Sequence, residues 1–253
     1  MSNQEITAIA KKSREYYLLF SFPIQIAAIL SLALLPLDYA KVSAWTAIFY
    51  VIVYWQGVQN GAHKLFSHKS WEPRWTWIKY ATAYLSCFGL MGGPITWSNL
   101  HRWHHAHSDE EKDPHSPRHG VFYSYVGWLM NPPAIPFMVV RDLMRDNIIV
   151  WINQRCREVV AVTLIVIAII DYQVAVALAV AMTITFNFEM AVNTFLHRKV
   201  NGEWAAVNNA WLAIPTGGSS LHANHHKSPG KYSFAKYWYE IDLSALLVRL
   251  LKK

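Results

Sequence analysis

Nine of the twelve histidines fall into four groups: His63 and His68, five residues apart; His101, His104 and His105; His197 alone; and His222, His225 and His226. Two groups share the pattern H-x-x-H-H, and all four sit beside strongly apolar segments. Imidazole is a common metal ligand and is largely neutral near pH 7, so it binds metal without a large deprotonation cost. The chemistry indicated is that of a metal site assembled from distant parts of the chain. On a helix, positions i, i+3 and i+4 share a face, so each triplet presents three nitrogens from one turn. His63 and His68 diverge by roughly 140° on an ideal helix. Either they serve two ions, or the helix ends between them. Nine imidazoles exceed what one ion takes, and two ions are the simpler account. Asn193 lies one turn before His197 on the same expected face, placed to ligate weakly or to hold a metal-bound water; an interhelical hydrogen bond is its alternative role. His107 and His119 read as solvated loop residues. His115 stays outside the ligand set, and Asp113, two residues before it, is placed to orient a ligating imidazole through its second nitrogen.

The elements that must position these groups are membrane helices. The chain has 253 residues, 53% of them hydrophobic and 15% charged. Its mean hydropathy is +0.14, and soluble domains carry about 25% charged residues. Twelve Trp and thirteen Tyr suit membrane–water interfaces. The length fits one domain spanning residues 1–253. The fold class expected is all-α and integral to the membrane, with four spans at about residues 16–37, 45–62, 156–170 and 174–195. The first run follows Lys11, Lys12 and Arg14 but is too long for a signal sequence and lacks a cleavage site, so it reads as a retained span. A fifth apolar run, residues 75–97, carries Lys79 and Gly89-x-x-Gly92-Gly93-Pro94. If it crossed, the second histidine group would lie opposite the first. It is therefore expected as an interfacial or re-entrant helix that returns to the same side.

With a cytosolic N-terminus, only Lys41 of the 23 Lys and Arg falls in an outer loop, which is the positive-inside pattern. All nine grouped histidines then emerge on the cytosolic side. The net charge of +7 reads as that basic face, and no nucleic-acid module is visible. Cys87 and Cys156 form no C-x-x-C, which fits a reducing compartment without disulfides. Residues 142–154 read as a surface helix, and the tail 234–253 as an amphipathic segment on the membrane. Two polar stripes run through apolar helices: Gln56, Gln59, Asn60 and His63, and Glu189, Asn193 and His197. They are expected to face an internal cavity, with interhelical hydrogen bonding as the alternative. Glu189 reads as an orienting group or the partner of a base. Trp97, one turn before His101, reads as a tunnel wall or an interface anchor.

These residues resemble the membrane-bound fatty acyl desaturases of the delta-nine acyl-CoA and acyl-lipid type. The matching segments are Gly61-Ala62-His63-Lys64-Leu65-Phe66-Ser67-His68, then Trp97 through His101-Arg102-Trp103-His104-His105 with Asp113-Pro114-His115, and His222-Ala223-Asn224-His225-His226. Asn193-x-x-x-His197 matches the additional ligand positions. The resemblance covers roughly residues 16 to 240. It implies two iron ions at the cytosolic face, molecular oxygen as co-substrate, and a fatty acyl chain, carried by CoA or a membrane lipid, that loses two hydrogens. The implied ligands are His63, His68, His101, His104, His105, His197, His222, His225 and His226, with Asn193 reaching a metal through water. It also implies a separate electron-transfer protein of ferredoxin, rubredoxin or cytochrome type; no H-P-G-G haem motif occurs here, so the donor is expected to be external. Where the family carries a Gly-Glu-Gly-Trp-like run before the third box, this chain has Gly217-Gly218-Ser219-Ser220-Leu221.

An unactivated methylene has no acidic proton, so an acid–base device cannot remove its hydrogen, whereas oxidative iron chemistry can. Two other readings stand beside desaturation: hydroxylation or another fatty-acid oxidation on the same scaffold, and a membrane metal-binding or transport protein. The last needs a hydrophilic path through the bilayer, and one-sided histidines speak against it.

Overall fold

The computed structural model describes residues 3–253. Helix α1 (Asn3–Tyr16) passes through a wide π-type turn (Tyr17–Ser21) into α2 (Phe22–Leu34). Helix α3 (Tyr39–Tyr50) starts at Asp38, whose side chain accepts from the Lys41 amide, and continues unbroken into a π-type stretch, Val51–Ser67. After the loops, α8 (Cys156–Ile170) and α9 (Tyr172–Phe195) form an antiparallel pair, and the Asp171 side chain caps α9. Helix α9 packs against α2, α3 and α8. The result is an up-and-down bundle of four helical columns. Its two tight turns meet at one end: the Asp38 amide donates to Gln173 Oε1 at 2.7 Å, Tyr172 OH donates to the Pro36 carbonyl at 2.6 Å, and Lys41 pairs with Asp171. Every grouped histidine lies toward the other end.

Two helical segments, Ala10–Leu34 and Tyr172–Phe195, are long and apolar enough to cross a membrane. The outer faces of α2 and α8 present Ile26, Ile29, Leu34, Ile165, Ile169 and Ile170, each more than half exposed. Contiguous apolar surface of that extent belongs against lipid or protein. The expected first span ends early, at Leu34, and the second is longer than expected, reaching Ser67.

Several expectations are corrected. Residues 75–97 are not one helix. Helix α4 (Thr76–Ser86) ends in a 3₁₀ turn (Cys87–Gly89), Leu90 and Gly92 take positive φ (60° and 89°), and Pro94 opens α5 (Pro94–Ala106). The chain reverses there because Asn153 Oδ1 accepts from the Ile95 and Thr96 amides at 3.0 and 2.9 Å, and a Cβ on Gly93 would lie 2.6 Å from that same oxygen. The hairpin does leave and return to the histidine end. The surface helix expected over residues 142–154 starts later: Asp142 is taken by Arg102 and Lys69, and Asp146 caps α7 (Asn147–Gln154). Of the tail 234–253, only α11 (Leu243–Leu251) is helical. His197 does not share a helical face with Asn193, because α9 stops at Phe195 and His197 opens strand β1 (His197–Val200). This strand pairs antiparallel with β2 (Glu203–Ala206), the one sheet among the described residues. The other short helices are α6 (Val121–Tyr125) and α10 (His222–Lys227).

Candidate metal centre

The nine grouped imidazoles gather into two sets. One joins His63, His68, His101, His105 and His225; the other joins His104, His197, His222 and His226; within each set the ligand nitrogens lie within 4.8 Å of one another. Each H-x-x-H-H triplet is divided between the sets. On α5, His101 and His105 go one way and His104 the other; on α10, His222 and His226 stay together and His225 departs. An i, i+4 pair is offset by only about 40° around a helix, whereas consecutive residues are about 100° apart. A single turn therefore serves two foci.

The pair expected to diverge, His63 and His68, converges. The Val51–Ser67 stretch is wound wider than an α-helix, and its last turn closes with the His68 amide donating to the His63 carbonyl at 3.2 Å, five residues back. This i→i+5 closure brings residues five apart toward one face.

Hydrogen bonds fix which nitrogen is free in three of the rings. Gln59 donates its amide NH₂ to Glu189, so its Oε1 is the acceptor for Nδ1–H of His63, at 3.0 Å. Nδ1–H of His104 donates to Asp113 Oδ1 and that of His197 to Asp109 Oδ2, both at 2.9 Å. These three rings then offer bare Nε2 lone pairs, the orientation a metal ligand needs. The Nε2 atoms face one another closely: His63 and His225 at 3.0 Å, His105 and His225 at 2.8 Å, His68 and His101 at 2.8 Å, His197 and His222 at 2.8 Å. Nε2 of His104 is buried with no hydrogen-bond partner. The bare Nε2 atoms of His63, His104 and His197 point into these clusters, and that of His104 has no partner but a cation to satisfy it, so this donor set fits two metal ions held by imidazoles. An all-nitrogen set suits iron, zinc or copper and disfavours magnesium or calcium.

Electrostatics agrees. Burial, reinforced by Arg102 and His104, pushes His68 down to about 4, and burial with neighbouring imidazoles pushes His105 down to about 2. His101, His222 and His225 are likewise held well below the usual imidazole value, first by burial. Burial would raise Asp113, but His104 and His115 and the hydrogen bond from His104 outweigh it and keep the carboxyl below its ordinary range. At pH 7 the rings of His68, His101, His105, His222 and His225 are thus held neutral and Asp113 is held ionised.

Asp113 therefore takes the orienting role expected of it. The stripe Gln56–Gln59–Asn60 does not face a cavity. Gln56 donates to Thr82 Oγ1 at 3.1 Å, Asn60 to the Ser244 carbonyl at 2.9 Å, and Gln59 to Glu189, so the stripe is a set of interhelical hydrogen bonds. Glu189 acts through Gln59 on His63. Trp97 is buried and stacks on His101 at 4.5 Å between centroids. Asn193, on the last turns of α9, is half-buried. His107 pairs with Glu110 at 3.3 Å and His119 is exposed. His115, read as peripheral, is buried with its ring 4.5 Å from that of His104, and His104, Asp113 and His115 form a third close group. Asp109 was missed: it sits in a charged run that reads as a solvated loop. The i, i+4 spacing of Gln59 and His63 was the available signal for the Gln59 bond.

A cavity of about 640 Å³ lies on the Trp128 side of the centre, and none of the nine imidazoles lines it. Lys12 and Arg157 lie at its rim, and Tyr17, Ile95, Asn99 and Trp128 line it. The Trp128 ring lies 5.5 Å from that of His115, so the cavity ends two aromatic residues from His104.

Comparison with known proteins gives a family and several relatives. The fatty acid desaturase family model matches residues 40–243. The Delta-9 desaturase-like 4 protein of Arabidopsis thaliana is 30% identical over 200 residues, covering 74% of this chain and 66% of that protein. The sn-2 palmitoyl-lipid 9-desaturase of Nostoc sp. (strain 36) is 29% identical, covering 83% of this chain and 79% of the relative. The hex-5-enoyl-[acyl-carrier protein] acetylenase of Moorena producens (strain JHB) is 27% identical and covers 100% of this chain and 87% of its own.

Proposed function

We propose how this chain, which belongs to the fatty acid desaturase family and is therefore an oxidoreductase, acts: it introduces a double bond, at the delta-nine position, into the acyl chain of a membrane lipid. The observation that carries this reading is the pair of close imidazole sets at one end of an apolar bundle, with the Nε2 atoms of His63, His104 and His197 left bare by hydrogen bonds at Nδ1. Two iron ions bound there would supply oxygen-dependent redox chemistry able to take hydrogen from an unactivated methylene. His63, His68, His101, His105 and His225 would hold one, and His104, His197, His222 and His226 the other, with Asn193 contributing through water.

The chain's own residues do the rest. Asp113, Asp109 and Gln59 fix the tautomers and orientations of His104, His197 and His63. Trp97 and Phe234 close the apolar side of the five-imidazole set and exclude water. The 640 Å³ cavity is within the size range of small-molecule sites and receives the acyl chain, with Lys12 and Arg157 placed to meet an anionic head group. An electron-transfer protein of ferredoxin, rubredoxin or cytochrome type supplies electrons from outside.

In the membrane, the four columns cross the bilayer with the paired turns at 35–38 and 171–173 outside and the histidines on the cytosolic side. Support comes from the lipid-compatible faces of α2 and α8, and from Trp75, Trp77, Trp211 and Trp238, all more than half exposed, as interfacial rings.

The test is expression in a host lacking unsaturated fatty acids, with lipids analysed by mass spectrometry. A new double bond nine carbons from the carboxyl of a lipid-bound chain is the expected product. A hydroxylated chain would transfer the reading to hydroxylation. No oxidised product with a competent donor would end both, and metal analysis should find about two iron per chain, the count expected for two imidazole sets.

A further inference from the structure

The matched box around His63 contains a residue that the metal chemistry does not use. Lys64 is fully buried, and its ammonium donates to both carboxylate oxygens of Asp242 at 3.2 Å and to Ser244 Oγ at 2.7 Å. The partners are 178 residues apart in sequence. Asp242 is saturated: it also accepts from the Ser244 hydroxyl and the Ala245 amide, each at 3.0 Å, and from the Phe234 amide at 2.9 Å. A Cβ on Gly218 would lie 2.4 Å from its Oδ1, so the segment before the third histidine group passes directly over this carboxylate.

Phe234 is the residue this arrangement holds. Its amide is bound by Asp242, and its carbonyl accepts from Asn224 at 2.9 Å, the asparagine inside the third histidine group. The Lys64 ammonium stands 4.7 Å over its ring. The same ring lies against two imidazoles, His225 at 4.6 Å and His63 at 5.4 Å between centroids. Both belong to the five-imidazole set. No contact of this kind reaches His104, His197 or His226 among the described residues.

A buried ion pair seldom adds net stability, because desolvation offsets the attraction; its attested use is to fix one arrangement. We propose that Lys64 and Asp242 are positioning residues that clamp Phe234 against His63 and His225, so that the C-terminal segment sets the geometry of one metal position and not the other. The proposal rests on the two-metal reading above. Loss of the clamp should therefore remove one metal of two.

The experiment measures iron per chain and cobalt(II) titrations, followed by the visible spectrum of bound cobalt, on full-length protein in detergent. The variants are Phe234→Leu, Lys64→Met, Asp242→Asn, Lys64→Arg and the double Lys64→Met/Asp242→Asn. Wild-type protein should bind two ions. Phe234→Leu and either single charge change should weaken one cobalt site at least tenfold and leave the second site's affinity within twofold. Lys64→Arg, which keeps the cation, should restore two-site binding, and the double variant should exceed either single change. Two unchanged sites in Phe234→Leu and Asp242→Asn overturn the proposal, as does parallel loss of both sites in the conservative Phe234→Leu. Wild-type protein that binds a single ion would instead sink the two-metal reading.

Discussion

The two imidazole sets are built differently. The four-imidazole set is backed by carboxylates: Asp113 holds His104 and Asp109 holds His197. The five-imidazole set is backed by a neutral amide, Gln59, and by the rings of Phe234 and Trp97. An anionic acceptor on Nδ1 makes the imidazole a stronger donor; an amide acceptor orients it without that gain. The smaller set joins four imidazoles to carboxylate support, and the larger joins five to an amide and packed rings. The difference teaches that ligand count alone does not rank the two positions.

The severest way to break the comparison is His104→Ala. It removes the carboxylate-backed ligand whose Nε2 has no other partner, and product formation should disappear with loss of metal from the smaller set. Retained activity would show that the smaller set is dispensable. Asp113→Asn should keep the fold but weaken metal binding at that set by about 10- to 100-fold, as expected for removal of a group that orients a metal-bound histidine. Gln59→Leu should weaken the other set less, and competition titration with a chelator separates the two; equal losses would erase the distinction between carboxylate and amide support.

A third prediction concerns acid. His68 is held at about 4 against an ordinary 6.5, so the folded protein favours the neutral ring. A depressed imidazole stabilises the fold above its unfolded value, and that contribution is lost as pH falls from 6.5 toward 4. Asp113, depressed as well, acts in the same direction at lower pH. The melting temperature of metal-free protein should therefore fall between pH 7 and pH 4.5, an interval spanning most of the His68 shift. A flat or rising profile would mean that the rings are not neutral in the fold. The smallest effect is expected at His119, exposed and outside both sets: His119→Ala should leave product formation within about twofold, as for ordinary surface changes.

Much of the bundle was legible. The apolar runs, the Asp171 turn and the one-sided histidines led to helices near those found, and Asp113 was identified by its place after the second triplet. What stayed hidden required distance in sequence or local winding. Nothing near Lys64 announces Asp242, and nothing in the charged turn 108–112 marks Asp109 as the partner of His197. The convergence of His63 and His68 depends on a widened helix that their spacing opposes under ideal α geometry. The break at residues 87–93 was signalled by its glycines and Pro94, yet a continuous apolar pattern outweighed them. The Gly217-Gly218 segment departs from the family run, and its positive φ angles (58° and 94°) together with the close approach to Asp242 account for the two glycines.

The division of each triplet has one more consequence. No histidine belongs to both main sets, so no shared ligand spans the two positions. Their spacing is set instead by two short helices, each acting as a ruler whose graduations are the angular steps between neighbouring residues. Such a ruler keeps its length when one position is empty. On the two-metal reading, loading would proceed one ion at a time, and the second ion would find its ligands already spaced.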